Sequence, residues 1–155
     1  MQALEPTIAA APVFAGLDPR HLGQIAACAE ETFVPAGAHL FREGAPAERC
    51  FLLRDGAIAL EVVAPGRGAV VIETLHAGEV VGWSWLFPPH RWQFHGRAVE
   101  PTRAIGLDGL CLRGKCEADH ELGYQLMRRF AAVAVERLQA TRLQLLDVYA
   151  SPVAP

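Results

Sequence analysis

Residues 31–107 repeat one pattern, and this repeat limits the chain to a small number of folds. Short apolar segments rich in β-branched residues alternate with glycine and proline turns, about every ten residues. Turn signals at this spacing, with β-branched segments between them, indicate an all-β sandwich, roll or barrel over residues 31–108. The predicted strands are Glu31–Val34, His39–Arg42, Cys50–Arg54, Ala57–Val63, Ala69–Leu75, Phe94–Glu100 and Arg103–Leu107.

The pattern changes in the last quarter of the chain. Residues 116–149 contain no proline and one glycine, which predicts a single long helix. Its apolar stripe consists of Leu122, Leu126, Phe130, Val133, Leu138 and Leu145. A helix of this length extends past a small β domain, so part of the stripe is expected to meet a second copy of the chain. The alternative is that the whole stripe folds back on its own domain.

The N-terminal part divides at Leu17. Residues 1–16 are rich in alanine and proline and are predicted to form a flexible arm. A helix over 17–30 follows, with Asp18 as its N-cap and Pro19 in its first turn. The domain organisation is therefore an arm, one domain over 17–149 and a short tail over 150–155.

Composition excludes several classes of protein. Hydrophobic residues make up 52% and charged residues 20%, which argues against disorder. The net charge of −3 argues against direct DNA binding. No apolar run is long enough for a membrane span, and the N-terminus lacks the features of a secretory signal, so we expect a cytoplasmic protein. The four cysteines form no C-x-x-C pair and are expected to be reduced thiols.

Two segments carry a resemblance to a known family. Residues 33–60 read FVPAGAHLFREGAPAERCFLLRDGAIAL, and residues 75–82 read LHAGEVVG. Their turns, in this order and followed by a long helix, resemble the cyclic-nucleotide-binding domains of Crp/Fnr regulators and of protein kinase A regulatory subunits. The resemblance implies a β-roll (a double-stranded jelly roll) with a long C-terminal helix. It also implies a regulatory ligand sensor rather than an enzyme, with cyclic AMP, cyclic GMP or another small anion as its ligand.

The ligand cassette departs from the family pattern. Gly82 matches, but Trp83 stands where the resemblance implies a glutamate that binds the ribose. The family's phosphate-binding arginine falls on Trp92, so Arg91 is the best candidate for an anion partner and Arg97 is the reserve. Thr141, on the long helix, matches the threonine that contacts the nucleotide base.

All three tryptophans of the chain lie in this cassette. They either line a pocket for a flat or apolar ligand, with Arg91 or His90 fixing an acidic group, or fill a degenerate pocket as core. The expected ligand-binding residues are Gly82, Trp83, Ser84, Trp85, Arg91, Trp92 and Thr141.

Two functions remain open. The first is a ligand sensor that signals through its C-terminal helix, as a homodimer or to a separate effector protein. The six residues after Tyr149 are too few for a helix-turn-helix, so we expect no DNA-binding domain. The alternative is a dimerisation or docking module whose pocket is filled by tryptophan. A metal-dependent enzyme of the cupin type is disfavoured, because the chain has no His-x-His sequence.

Overall fold

The predicted β-roll is confirmed in the computed structural model, which describes residues 4–150 and the side chains as far as residue 147. Eight strands form two four-stranded antiparallel sheets, ordered β1-β8-β3-β6 and β2-β7-β4-β5. The strands are β1 (Ala29–Val34), β2 (His39–Phe41), β3 (Arg49–Asp55), β4 (Ala57–Ala64), β5 (Gly68–His76), β6 (Val80–Val81), β7 (His95–Ala98) and β8 (Thr102–Asp108). The helices are α1 (Glu5–Ala10), α2 (Pro19–Ala26), α3 (Gly109–Ala118) and α4 (His120–Ala150).

The prediction of a flexible arm over residues 1–16 is wrong for its described part. Helix α1 is followed by a 3-10 turn, Pro12–Phe14, and both pack onto the domain. Ile8 and Phe14 are fully buried, and the Phe14 ring contacts the ring of Phe130 on α4. The alanine and proline content of this segment does not by itself hold it on the domain, but the burial of these two large apolar side chains does.

The helices differ from their predicted bounds. Helix α2 begins as expected, with Asp18 accepting a hydrogen bond from the amide of Arg20, but it ends at Ala26 because β1 begins at Ala29. The helix predicted over 116–149 is two helices, since α3 and α4 are separated by Asp119 in an extended conformation. Its carboxylate accepts from the amides of Glu121 and Leu122, which caps α4.

The apolar stripe of the long helix is divided in two. Its first four members are buried against the domain, whereas Leu138 and Leu145 are exposed. Among the described residues, no helix is both long and apolar enough to cross a bilayer.

The expectation of four reduced thiols is also wrong. Cys28, after α2, and Cys111, in the first turn of α3, form a disulfide with a Cα–Cα distance of 5.8 Å. Cys50 is buried and Cys116 is half-buried, and both are free thiols. Burial raises the pKa of Cys50, which makes it an inert core residue.

Candidate functional site

Gly82 begins the cassette directly after β6. Its φ of +103° is a conformation that side chains with a Cβ rarely adopt. A Cβ at this position would lie 2.6 Å from Cη2 of Trp92. Gly82 is therefore needed here both for its backbone conformation and for the close approach of an indole ring.

The Trp92 ring lies inside the roll. It is 4% exposed and stacks on Phe41, with the ring centroids 3.6 Å apart and the planes 9° from parallel. The rings of Phe51 and Phe94 extend this aromatic cluster, at 6.4 Å from Trp92 and 5.9 Å from Phe41 respectively. Together the four rings, hereafter the aromatic plug, belong to the core cluster that fills the space between the two sheets. The sequence-predicted site residue Trp92 is thus a core residue.

Trp83, Ser84 and Trp85 join the cassette to the rest of the domain. Trp85 is fully buried and contacts Phe130 of α4 edge to face, with centroids 5.1 Å apart. Trp83 is half-buried and packs against both core clusters. The indole nitrogens of both residues and the hydroxyl of Ser84 are buried without a hydrogen-bond partner among the described residues. Unsatisfied buried donors are rare, so these three groups mark the part of the cassette where hydrogen-bond partners are missing.

The two candidate arginines are engaged elsewhere. Arg91 is exposed, and its guanidinium donates to the carbonyl of Gly44 at 2.8 Å. Arg97 donates to the carboxylate of Glu61 at 2.7 and 3.1 Å. That hydrogen bond lowers the pKa of Glu61 despite the opposing effect of burial. Arg97 is therefore an ion-pair partner on the sheet.

Thr141 is an exposed residue of α4. Its hydroxyl donates to the carbonyl of Arg137 within the same helix, at 2.9 Å. The structure thus brings Trp92 onto Gly82 but places Trp85 in the other core cluster, with Trp83 packed between the two clusters. Arg91 and Thr141 bond to backbone carbonyls elsewhere.

Sequence reasoning missed Arg137. Its side chain is nine-tenths buried and bonds to the Glu73 carboxylate and to the Val80 carbonyl, both at 3.2 Å. The signal was present, because Arg137 follows Phe130 and Val133 at helical spacing on the buried face. It fixes α4 to β5 and to the strand that leads into the cassette.

Among the described residues, no group of three or more His, Cys, Asp or Glu side chains is arranged to hold a metal ion.

Comparison with known proteins identifies similar sequences and folds. Residues 31–119 match the family model described as the cyclic nucleotide-binding domain. A CRP-like cAMP-activated global transcriptional regulator of Mycobacterium tuberculosis is 23% identical over 145 residues. That match covers 94% of this chain and 63% of the relative, so the chain spans under two thirds of the relative's length.

Solved structures give the same picture. A putative cyclic nucleotide-binding protein from Geobacter metallireducens is 30% identical, with a TM-score of 0.78, and the match covers 89% of this chain and 99% of that one. A cyclic nucleotide-binding domain from Methylobacillus flagellatus has a TM-score of 0.79 at 16% identity, covering 98% and 85%. The regulatory domain of Toxoplasma gondii PKA with cAMP has a TM-score of 0.65 at 19% identity, covering 72% and 42%. The last two share the fold.

Proposed function

Because the chain belongs to the family of cyclic nucleotide-binding domains, we propose that it is a non-enzymatic regulatory domain whose nucleotide pocket is closed by its own aromatic side chains. In this proposal it acts as a homodimer through α4 and transmits its state to a separate effector protein. The observation that carries the proposal is the aromatic plug, in which Trp92 packs directly on Gly82.

The plug supports a closed pocket for a steric and an energetic reason. The ring of Trp92 fills the space beside the glycine with which the family cassette begins. Moving a buried indole out of a stack with Phe41 exposes a large apolar surface, and a ligand must first supply that free energy. A cyclic nucleotide therefore binds this conformation at a disadvantage.

The charged side chains that would bind the ribose and the phosphate of a nucleotide are also not brought together in the cassette. Trp83 supplies no carboxylate for a ribose. The nearest glutamate along the chain, Glu79, accepts a hydrogen bond from the amide of His76 at 2.8 Å. Arg91 lies in solvent and bonds to a backbone carbonyl, so the charge needed for a phosphate is not held in the pocket.

The outer face of α4 supports self-association. Tyr124, Leu138 and Leu145 are separated by multiples of seven residues and are 61%, 60% and 55% exposed. Met127 lies three residues after Tyr124 and is also exposed. This heptad spacing is that of a helix pair, and pairing with a second copy removes the exposed leucines from water.

The closed pocket is tested by titrating the purified protein with cyclic AMP and with cyclic GMP while tryptophan emission is recorded. We expect no saturable change up to about 1 mM nucleotide, which corresponds to binding weaker than about −4 kcal/mol. A saturable micromolar change that is lost in Arg91→Ala contradicts the proposal.

The dimer is tested by light scattering of the protein as it elutes from a sizing column. Leu138→Glu is expected to convert the dimer to a monomer, because a charge cannot be buried in the helix pair without a partner. The matched control is Leu110→Glu, at a leucine on α3 that is even more exposed, which is expected to leave the dimer intact. A monomeric wild-type protein contradicts this part of the proposal.

The second candidate function is ligand sensing by a pocket that opens. The observation in its favour is the group of unpartnered donors on Trp83, Ser84 and Trp85, which a bound anion or cyclic nucleotide would satisfy. In that case the Trp92 ring leaves its stack with Phe41 when a ligand binds, and the nucleotide titration gives a saturable change in tryptophan emission.

A further inference from the structure

The turn that follows β2, residues 42–46, holds the backbone of Trp92. The amide of Gly44 donates to the carbonyl of Trp92 at 2.8 Å, and the amide of Trp92 donates to the carbonyl of Ala45 at 2.9 Å. Ala45 also packs against the core cluster that contains the aromatic plug. The 42–46 turn therefore fixes both backbone polar groups of the residue whose ring fills the roll.

A shallow cleft of about 250 Å³ reaches the plug beside this turn. Its lining includes Pro46 of the turn and the rings of Phe41, Phe51 and Trp92. These three aromatic residues are only 7%, 5% and 4% exposed, so little of each ring meets the cleft. A movement of the turn would widen an opening that already leads to the plug.

The start of the turn is held by His95, on β7. The amide of Glu43 donates to Nδ1 of His95 at 3.1 Å. Because a backbone amide nitrogen can only donate, Nδ1 presents its lone pair, and the ring is the neutral tautomer with its proton on Nε2. A second proton must bind at Nδ1, where it removes the acceptor and sets two N–H groups against each other. The bond to the turn therefore exists only while His95 is neutral.

The charged groups around His95 do not compensate a proton on its ring. His39 of β2 faces it edge to face, with the ring centroids 5.7 Å apart. Glu61 of β4 lies opposite His95 in the sheet, but its carboxylate already accepts two hydrogen bonds from Arg97. Burial, Arg42 and His95 lower the pKa of His39, although Glu61 opposes them, so this cluster resists further positive charge.

We propose that His95 makes the closed pocket sensitive to pH, because its protonation releases the 42–46 turn and weakens the hold of that turn on Trp92. This inference rests on the proposed function, in which the aromatic plug closes the pocket. Proton binding favours the released turn, so the turn is held at neutral pH and released as the pH falls below about 6.5, where histidine ordinarily gains a proton. One hydrogen bond changes an equilibrium by about two- to tenfold. Acid therefore raises the open fraction by that factor and leaves most of the plug in place.

The test is an NMR titration of nitrogen-15-labelled protein from about pH 8 to about pH 5. The imidazole signals of His95 report its protonation. Hydrogen exchange of the Glu43, Gly44 and Trp92 amides, corrected for the intrinsic pH dependence of exchange, reports the state of the turn. We expect the protection of all three amides to fall about two- to tenfold, with the midpoint of His95 protonation. Constant protection while His95 gains its proton overturns the proposal, as does a His95 that stays neutral to about pH 5. A response of Glu43 alone refutes the link between the turn and Trp92.

Variants of His95 separate its hydrogen bond from its charge. His95→Asn places Oδ1 near the position of Nδ1, so it can accept from Glu43 without titrating, and its protection is expected to stay constant with pH. His95→Ala has no acceptor and is expected to show the low protection at every pH. His39→Asn, at the facing histidine, is the matched control and is expected to keep the pH dependence of the wild type. A pH dependence that persists in His95→Asn, or that disappears in His39→Asn, overturns the proposal.

This test and the nucleotide titration fail separately. A saturable micromolar nucleotide signal at neutral pH shows that the pocket is not closed, whereas the protection of Glu43 depends on its bond to His95. If no nucleotide binds and the three amides do not respond to acid, the closed pocket stands and the pH sensitivity is wrong.

Discussion

Replacing Gly82 by alanine tests whether the cassette is closed by the Trp92 ring. The new Cβ would lie 2.6 Å from the ring, which cannot retreat easily because it is stacked on Phe41 at 3.6 Å. The same residue also has a φ of +103°. Gly82→Ala therefore combines a conformational cost with a steric one, and the two can be measured separately.

The magnitudes follow from the two contributions. An alanine at strongly positive φ costs about 1–2 kcal/mol of unfolding free energy, and overpacking a rigid core costs about 1–3 kcal/mol more. We expect Gly82→Ala to destabilise the protein by about 2–5 kcal/mol, the sum of the two contributions. Gly44 is the matched control, because it also has a positive φ, +86°, but an added Cβ there meets no atom within 4 Å. Gly44→Ala is expected to cost only about 1–2 kcal/mol.

The assay is urea unfolding followed by circular dichroism, with Gly82→Ala made in the wild type and in Trp92→Leu. In the Trp92→Leu background the clash is removed, so the effect of Gly82→Ala is expected to fall to about 1–2 kcal/mol. If Gly82→Ala and Gly44→Ala cost the same, or if the Trp92 background makes no difference, the account of the closed pocket is refuted.

Three further changes have defined outcomes. Arg137→Met removes the ion pair with Glu73 and the bond to Val80, and is expected to lower stability by about 1–3 kcal/mol in urea unfolding, whereas Thr141→Ala changes it by less than about 0.5 kcal/mol. Replacing both Cys28 and Cys111 by serine is expected to lower the free energy of unfolding by about 2–4 kcal/mol, because the disulfide closes a loop of 83 residues. Adding a reductant is the check, since it should destabilise the wild type by the same amount and leave the stability of the variant unchanged. The hydrogen bond from Arg20 lowers the pKa of Asp119 from 3.8 to about 2. The ionised carboxylate therefore stabilises the fold fully above pH 3.8, and this stabilisation is lost as the pH falls through about 2. The unfolding midpoint of Asp119→Asn should therefore lie below the wild type at neutral pH and approach it in acid; a constant difference contradicts this assignment.

The roll was predictable because its signals are local. Turn residues mark where each strand ends, and β-branched segments lie between them, so the alternation over residues 31–107 was enough to predict an all-β sandwich, roll or barrel. The resemblance of residues 33–60 and 75–82 to a known family narrowed this prediction to the roll. The start of α2 was predictable for the same reason, since an N-cap aspartate and a following proline act within one turn. The break at Asp119 depends on contacts with α2, which lie a hundred residues away in sequence, and was not predicted.

The place of the cassette in the chain was predictable, but the set of residues around it and whether it is filled were not, since Arg91 and Thr141 bond elsewhere and Arg137 was missed. The concentration of Trp83, Trp85 and Trp92 identified the cassette, yet both a lined pocket and a filled one agree with that sequence. Only the stacking of Trp92 on Phe41, which joins residues half the domain apart, distinguishes them. The disulfide between Cys28 and Cys111 and the burial of Ile8 were missed because each requires knowledge of which distant surfaces meet.

The single extended residue between α3 and α4 is a point about which a small tilt of the long helix becomes a large displacement of its far end. Helix α4 has 31 residues and is therefore about 46 Å long. A tilt of about 5° at Asp119 would displace its far end by about 4 Å, most of a helical turn. The carboxylate at this junction is held by Arg20 and Gln24 of α2, and Arg137 ties the middle of α4 to Glu73 and Val80, so such a tilt requires both sets of bonds to break.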